Sequence, residues 1–172
     1  QDIDGVTADR SGSSVSINSS GNKLIVGSPF GDKTRIYEYT SGNWIQQGAD
    51  INSEAPNDYS GTSVSISSSG NTVVIGAPYN DGSGNDAGHI RIYDWNGSDW
   101  IQSGNDIDGQ SPSDQFGFNV SVNGLGNMVS SNNEGGNYAT RVFGNSSNTI
   151  CPTQLNITIN LCTIIGDTTV LS

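Results

Sequence analysis

The sequence predicts an all-β protein built from a repeated antiparallel unit. Three observations carry that prediction. One phrase recurs: SGSSVSINSSGN from Ser11, SGTSVSISSSGN from Ser60, and a weaker FGFNVSVNGLGN from Phe116. The apolar residues come in short alternating or β-branched runs. No stretch repeats them at three and four spacing over three turns, so there is no amphipathic helix to build on. The 23 glycines, with abundant Ser, Asn and Thr, supply turns between those runs. A chain of 172 residues is enough for one ordinary domain.

Within one unit each element has a physical reason. SVSI alternates, so Val64 and Ile66 share one face and the serines the other, as in a half-buried strand. SSSGN is a turn, with Gly70 free to take positive φ. TVVIGA is more continuously apolar and reads as a strand covered on both faces. Pro78 ends it, because proline cannot donate to a ladder. HIRIYDW is a third strand, rich in β-branched and aromatic residues. NGSD is a hairpin turn and WIQSG a fourth strand.

The unit repeats with a period of roughly 50 residues. Asp2-Ile3, Asp50-Ile51 and Asp106-Ile107 open the units, RIYEY from Arg35 matches RIYDW from Arg91, and Trp44 matches Trp100. The second unit is longer, and its extra residues all lie between Pro78 and Arg91, which marks that stretch as a loop. The expected boundaries are 1–48 and 49–104 for two good units, 105–144 for a degenerate third, and 145–172 for a β-rich tail. Four-stranded units of this length are blades of a β-propeller; a sandwich needs no repeat, and solenoid repeats are shorter. The expected fold is a partial propeller, because closed ones take at least four blades, about 200 residues at this period. The chain opens inside a repeat, as a piece cut from a longer protein would.

The motifs Phe116-Gly117 and Gly76-Ala77-Pro78 give the unit a recognisable form. It resembles the FG-GAP repeat, the blade unit of integrin α-subunit-like propellers. The fuller string from DIDG to WIQSG looks like a subtype in large secreted or surface proteins of marine microbes and algae. The resemblance spans residues 1 to about 143. It implies an extracellular, non-catalytic propeller used for adhesion and for protein or glycan contact. In many members an Asp-rich loop between strands one and two binds calcium. The corresponding loops here, NSSGN, SSSGN and NGLGN, hold no acidic residue, so that site is not carried over.

Other residues bound the function. A net charge of −11 repels nucleic acid and anionic membrane surfaces. No apolar run approaches the ~18 residues of a membrane span. Expected ligand contacts lie in the unit-two loop, at Asp81, Ser83, Asn85 and Asp86, with Trp95 as a stacking surface. Asp81, Asn85 and Asp86 are also a candidate calcium set, against the reading of a flexible polar hairpin tip; no other cofactor is expected. His89, the only histidine, is expected to order a loop rather than act as a base. Acids that recur in every unit, such as Asp50 and Asp106 or Asp58 and Asp114, read as structural; a catalytic pair should break the repeat. Trp44 and Trp100 read as packing between blades.

Cys151 and Cys162 are either a disulfide, which needs an oxidising compartment, or two buried thiols. The tail alternates at Leu155, Ile157, Ile159 and Leu161, and either closes its own sheet or adds to a neighbour. The five N-x-S/T sequons are no more than this composition yields by chance. Two functions remain open: a surface binding module, or a structural subunit that polymerises with copies of itself through an open blade face and the tail.

Overall fold

Three antiparallel sheets stand side by side in chain order. The structure, a computed structural model, describes residues 2–135, 138–144 and 153–154. The first sheet holds β1 (Ser14–Ile17), β2 (Lys23–Ser28), β3 (Lys33–Thr40), β4 (Asn43–Gln46) and β5 (Ile51–Asn52). The second repeats this plan with β6 (Ser63–Ile66), β7 (Thr72–Ala77), β8 (His89–Trp95), β9 (Trp100–Gln102) and β10 (Ile107–Asp108). The third has β11 (Asn119–Val122), β12 (Met128–Asn132), β13 (Thr140–Gly144) and β14 (Thr153–Gln154). Each sheet is a meander, and the register repeats: Val15↔Val26, Val64↔Ile75 and Val120↔Ser131 are corresponding pairs. Among the described residues no helix is long and apolar enough to cross a membrane.

The short strands β5 and β10 follow from the Asp-Ile pairs that open units two and three. They pair backwards, onto β3 and β8 of the preceding sheet, alongside the hairpin partners β4 and β9. Each outer edge is therefore made of two pieces. Arg35 clamps Asp50 with two hydrogen bonds at 2.9 and 2.8 Å, and Arg91 does the same to Asp106 at 3.1 Å. The recurring acids are structural in this sense: they tie one unit to the next.

The core lies between the sheets. In β7 the run TVVIGA is divided by its two-residue period. Val73 and Ile75 face the first sheet and join Ile25, Ile36, Val64, Ile66 and Trp100. Val74 faces the third sheet and joins Ile90, Phe116, Val122, Val129 and Phe143. Burying an aliphatic side chain of this size is worth about 1.5–3 kcal/mol, so both interfaces are substantial.

The serines of SVSI do not face water, as a half-buried strand would have them. Ser63 is buried, and its Oγ donates to the Gly117 carbonyl at 2.8 Å. Ser14 and Ser16 accept from the N–H groups of Val64 and Ile66 at 3.0 and 3.3 Å, and Ser65 accepts from that of Val122 at 3.1 Å. Hydrophobic period alone reads such a face as exposed. Here it is a polar seam between blades, with its hydroxyls hydrogen-bonded.

The seam also explains the glycines. A Cβ added at Gly27 would lie 2.1 Å from the Gly61 carbonyl oxygen, and one at Gly76 would lie 2.0 Å from that of Gly117. The glycine that closes strand two is thus the docking point for the glycine that opens the next unit. By register the same place in the third sheet is Asn132, opposite Asn119. Its Oδ1 accepts from the Asn119 N–H at 3.1 Å. Ser130 likewise stands where Ile25 and Val74 stand in the other sheets. The face of the third sheet turned away from the second therefore carries Ser130 and Asn132 at these two places and lacks the docking glycine.

The described part of the tail, Thr153–Gln154, pairs with β13 of its own chain. The expected disulfide at Cys151 and Cys162, and the expected contact residues Leu155, Ile157, Ile159 and Leu161, lie outside the described residues.

Candidate functional site

The loops preceding β6 and β8 meet at one end of the second sheet. Between them is a cleft of about 490 Å³ lined by Glu54, Ala55, Pro56, Asn57, Asp58, Tyr79, Asn80, Asp81, Gly82 and Asp86. Local hydrogen bonds shape its walls. Asp58 is buried, and its Oδ2 accepts from the Ala55 N–H and from Asn80 Nδ2, both at 3.0 Å. Asp32, from the first sheet, accepts from the N–H groups of Asn57 and Tyr59 at 2.7 and 2.8 Å. The Tyr59 ring sits between Phe30 and Tyr79, with centroids 5.2 and 5.1 Å away.

Of the residues singled out from sequence, Asp81 and Asp86 line this cleft. Asp81 Oδ1 accepts from the Asp86 N–H at 2.8 Å, and Asn85 Nδ2 donates to Asp86 Oδ2 at 3.0 Å. Ser83 donates to the Gly109 carbonyl at 3.0 Å. The three residues proposed as a calcium set thus engage one another and the loop backbone, and the loop is tied to the third unit. Trp95 is elsewhere. It is half-buried beside Trp100, 5.4 Å between centroids, against the core shared with the first sheet. Trp100 is buried between the two sheets and donates from Nε1 to the Gln47 carbonyl at 3.0 Å, as expected of a packing residue.

Behind the cleft lies a cluster that the motif reading did not assemble. His89, first residue of β8, is 2% exposed. Its Nδ1 is buried and has no hydrogen-bond partner. That atom lies 3.6 Å from Asp106 Oδ2 and 3.9 Å from Glu54 Oε2, beyond hydrogen-bond length. Arg91 donates to both carboxylates. Burial, helped by the Arg91 charge, pushes the His89 imidazole below its usual range and keeps it neutral. Burial works against the charge of Asp106, but the hydrogen bond and charge of Arg91 outweigh it and hold that carboxyl below the usual carboxylate range. A buried imidazole of this kind cannot reach a substrate as a general base.

The cluster did leave a signal in the sequence. Register places Lys33 of the first sheet and Ala139 beside the third where His89 stands. Counting from the Asp-Ile pairs, Glu54 corresponds to Val6 and Gln110. Two members break the repeat, whereas Arg91 and Asp106 conform to it.

Comparison with known proteins agrees with this architecture. Residues 52–93 match the FG-GAP repeat. No curated protein sequence matches the chain. A "putative 6-phosphogluconolactonase" from Bacteroides fragilis superposes with a TM-score of 0.58 at 14% identity, over 83% of this chain and 37% of that one. Hydrazine synthase of Kuenenia stuttgartiensis gives 0.54 at 9% identity, over 84% and 36%. The β-propeller domain of Cps50 (Swd1) from Myceliophteria thermophila gives 0.50 at 11% identity, over 70% and 36%. At these identities the likeness is one of fold, and the chain spans a little over a third of the length of these structures. Gly76, Ala77 and Pro78 end one strand, and Gly117 of the following unit docks on the first of them. The second unit is similar to the FG-GAP repeat over residues 52–93, and the chain has the fold of a run of β-propeller blades.

Proposed function

We propose that the chain is a non-catalytic binding module of the extracellular or cell-surface kind, and that it holds a protein or glycan partner in the acidic cleft of its second blade. The observation that carries this reading is the cleft itself. Glu54, Asp58, Asp81 and Asp86 line it, and it forms at the one place where the second unit carries extra residues. Loops on a rigid β scaffold are where binding residues concentrate. A wall of carboxylates on a chain of net charge −11 suits a partner that presents cationic groups. The FG-GAP match supports the extracellular setting.

The test is surface plasmon resonance of the chain against immobilised basic proteins and cell-surface glycans, at low and high salt. Binding that weakens with salt and drops at least tenfold in an Asp81→Asn, Asp86→Asn double variant is the expected outcome. Binding indifferent to both changes would remove the cleft from the function.

A second reading, a structural subunit, is favoured by one observation. Val15 and Ile17 of β1 are 58% and 55% exposed, side by side on a face that no described blade covers. Light scattering on the chain, with and without Cys151 to Ser172, distinguishes the two. A monomer in both cases excludes the subunit; a large assembly that dissolves without the tail makes self-association the function.

A further inference from the structure

We infer that Glu54, His89 and Asp106 form a binding site for a first-row divalent cation of the zinc class, built, among the described residues, in the second blade alone. This goes beyond the binding-module reading and does not rest on it.

The geometry points to an ion rather than to a hydrogen bond. Zinc sits about 2.0–2.2 Å from imidazole nitrogen and carboxylate oxygen, so neighbouring ligand atoms on a tetrahedron are about 3.4 Å apart. The His89 to Asp106 and His89 to Glu54 separations, 3.6 and 3.9 Å, are close to that edge and too long for direct hydrogen bonds. One ligand atom from each of the three residues falls within 4.8 Å of the other two. His89 is 2% exposed, yet its Nδ1 has no partner, a rare condition for a buried polar atom.

The surroundings fit the same reading. Arg91 donates to Glu54 Oε1, and Oε2, the oxygen nearest His89, accepts from Asn80 Nδ2 at 3.3 Å. Arg91 and Gln102 both donate to Asp106 Oδ1, and Arg91 also donates to Asp106 Oδ2 at 3.1 Å. Carboxylates oriented by an outer layer of donors are typical of metal ligands. Glu54 is about half exposed, which gives an ion a way in and leaves room for a water as fourth ligand. An imidazole with two carboxylates suits zinc and its neighbours, and disfavours calcium, which takes oxygen ligands throughout.

The first blade supplies an internal control. Lys33 stands where His89 stands, and its ammonium pairs with Asp9 at 2.7 Å. That blade carries its own cation at this point. The second blade has the His89 imidazole in place of that ammonium, and a carboxylate, Glu54, where the first unit has Val6.

The sole histidine makes the test direct. Its side-chain nitrogens are followed by 1H–15N correlation NMR while Zn2+, and separately Ca2+, is added to the full 172-residue chain. The expected result is a change at Nδ1 that saturates at one equivalent of Zn2+, with none from Ca2+. Isothermal titration should show affinity falling at least tenfold in Glu54→Gln, and no zinc uptake at this site in His89→Lys. Both replacements are residues that sister units carry at these places, Gln110 and Lys33, so they preserve the repeat. If His89→Lys still fails to fold, the partly exposed Glu54→Gln decides alone. An imidazole unmoved by excess Zn2+, or an affinity equal in wild type and Glu54→Gln, overturns the proposal.

Discussion

The same four residues, SVSI, form β1 in the first blade and β6 in the second, and meet opposite fates. Val15 and Ile17 are 58% and 55% exposed, whereas Val64 and Ile66 are 6% and 7% exposed. Backbone, register and side chains are alike; only the neighbour differs. Val64 and Ile66 rest on the first sheet, while no described blade lies against Val15 and Ile17. Burial in a repeat array is a property of the interface, and local sequence reports only the capacity for it.

The largest test of that comparison is at the docking glycine. Gly76→Val drives a side chain into the Gly117 carbonyl, 2.0 Å from the added Cβ, and should cost at least about 3 kcal/mol by denaturant unfolding. Asn132→Gly, the reverse change at the same place in the third blade, should cost only about 0.5–1 kcal/mol of backbone entropy. Next in size, Ile66→Ala should lose about 2–5 kcal/mol by the same measurement, and Ile17→Ala less than about 0.5 kcal/mol. Equal losses at the two isoleucines would mean that β1 is covered in solution.

The smallest effect concerns pH. His89 has a folded-state pKa below its unfolded value, so the unfolded chain binds the extra proton first. Stability is full above the usual histidine pKa, about 6.5, and falls as pH drops below it. The groups facing the imidazole are Arg91, Asp106, Glu54 and Asp58. The thermal midpoint should therefore be lower at pH 5 than at pH 7. That difference should shrink in His89→Gln, measured without added metal.

Much of the fold was legible because strands with a two-residue period, turn glycines and an internal repeat each leave a local mark. The strands of units one and two, the inter-blade Trp100 and the docking glycines all carry one. The serine seam was misread because its hydroxyls hydrogen-bond to backbone of the next unit, which looks polar and exposed to any hydrophobicity rule. The Asp-Ile pairs were assigned to the units they open, since nothing local says that they pair backwards onto β3 and β8. Glu54, His89 and Asp106 are far apart in sequence, and the backward pairing of β10 onto β8, which brings Asp106 to His89, leaves no local mark. The loop acids Asp81 and Asp86 were visible for the opposite reason: they sit in one insertion.

Asn132 gives the array a direction. A blade on the open side of β1 would meet Leu24, Val26 and bare strand one, and could offer its own closing glycine to Gly12. A blade on the far side of β12 would meet Asn132 and Ser130, where two earlier contacts met glycine and an aliphatic residue. At this contact a further blade docks more readily beside β1 than beside β12. A second copy stacked head to tail would set Asn132 against Gly12, in place of the glycine pair of the two internal contacts. The difference between the two ends is written in two side chains.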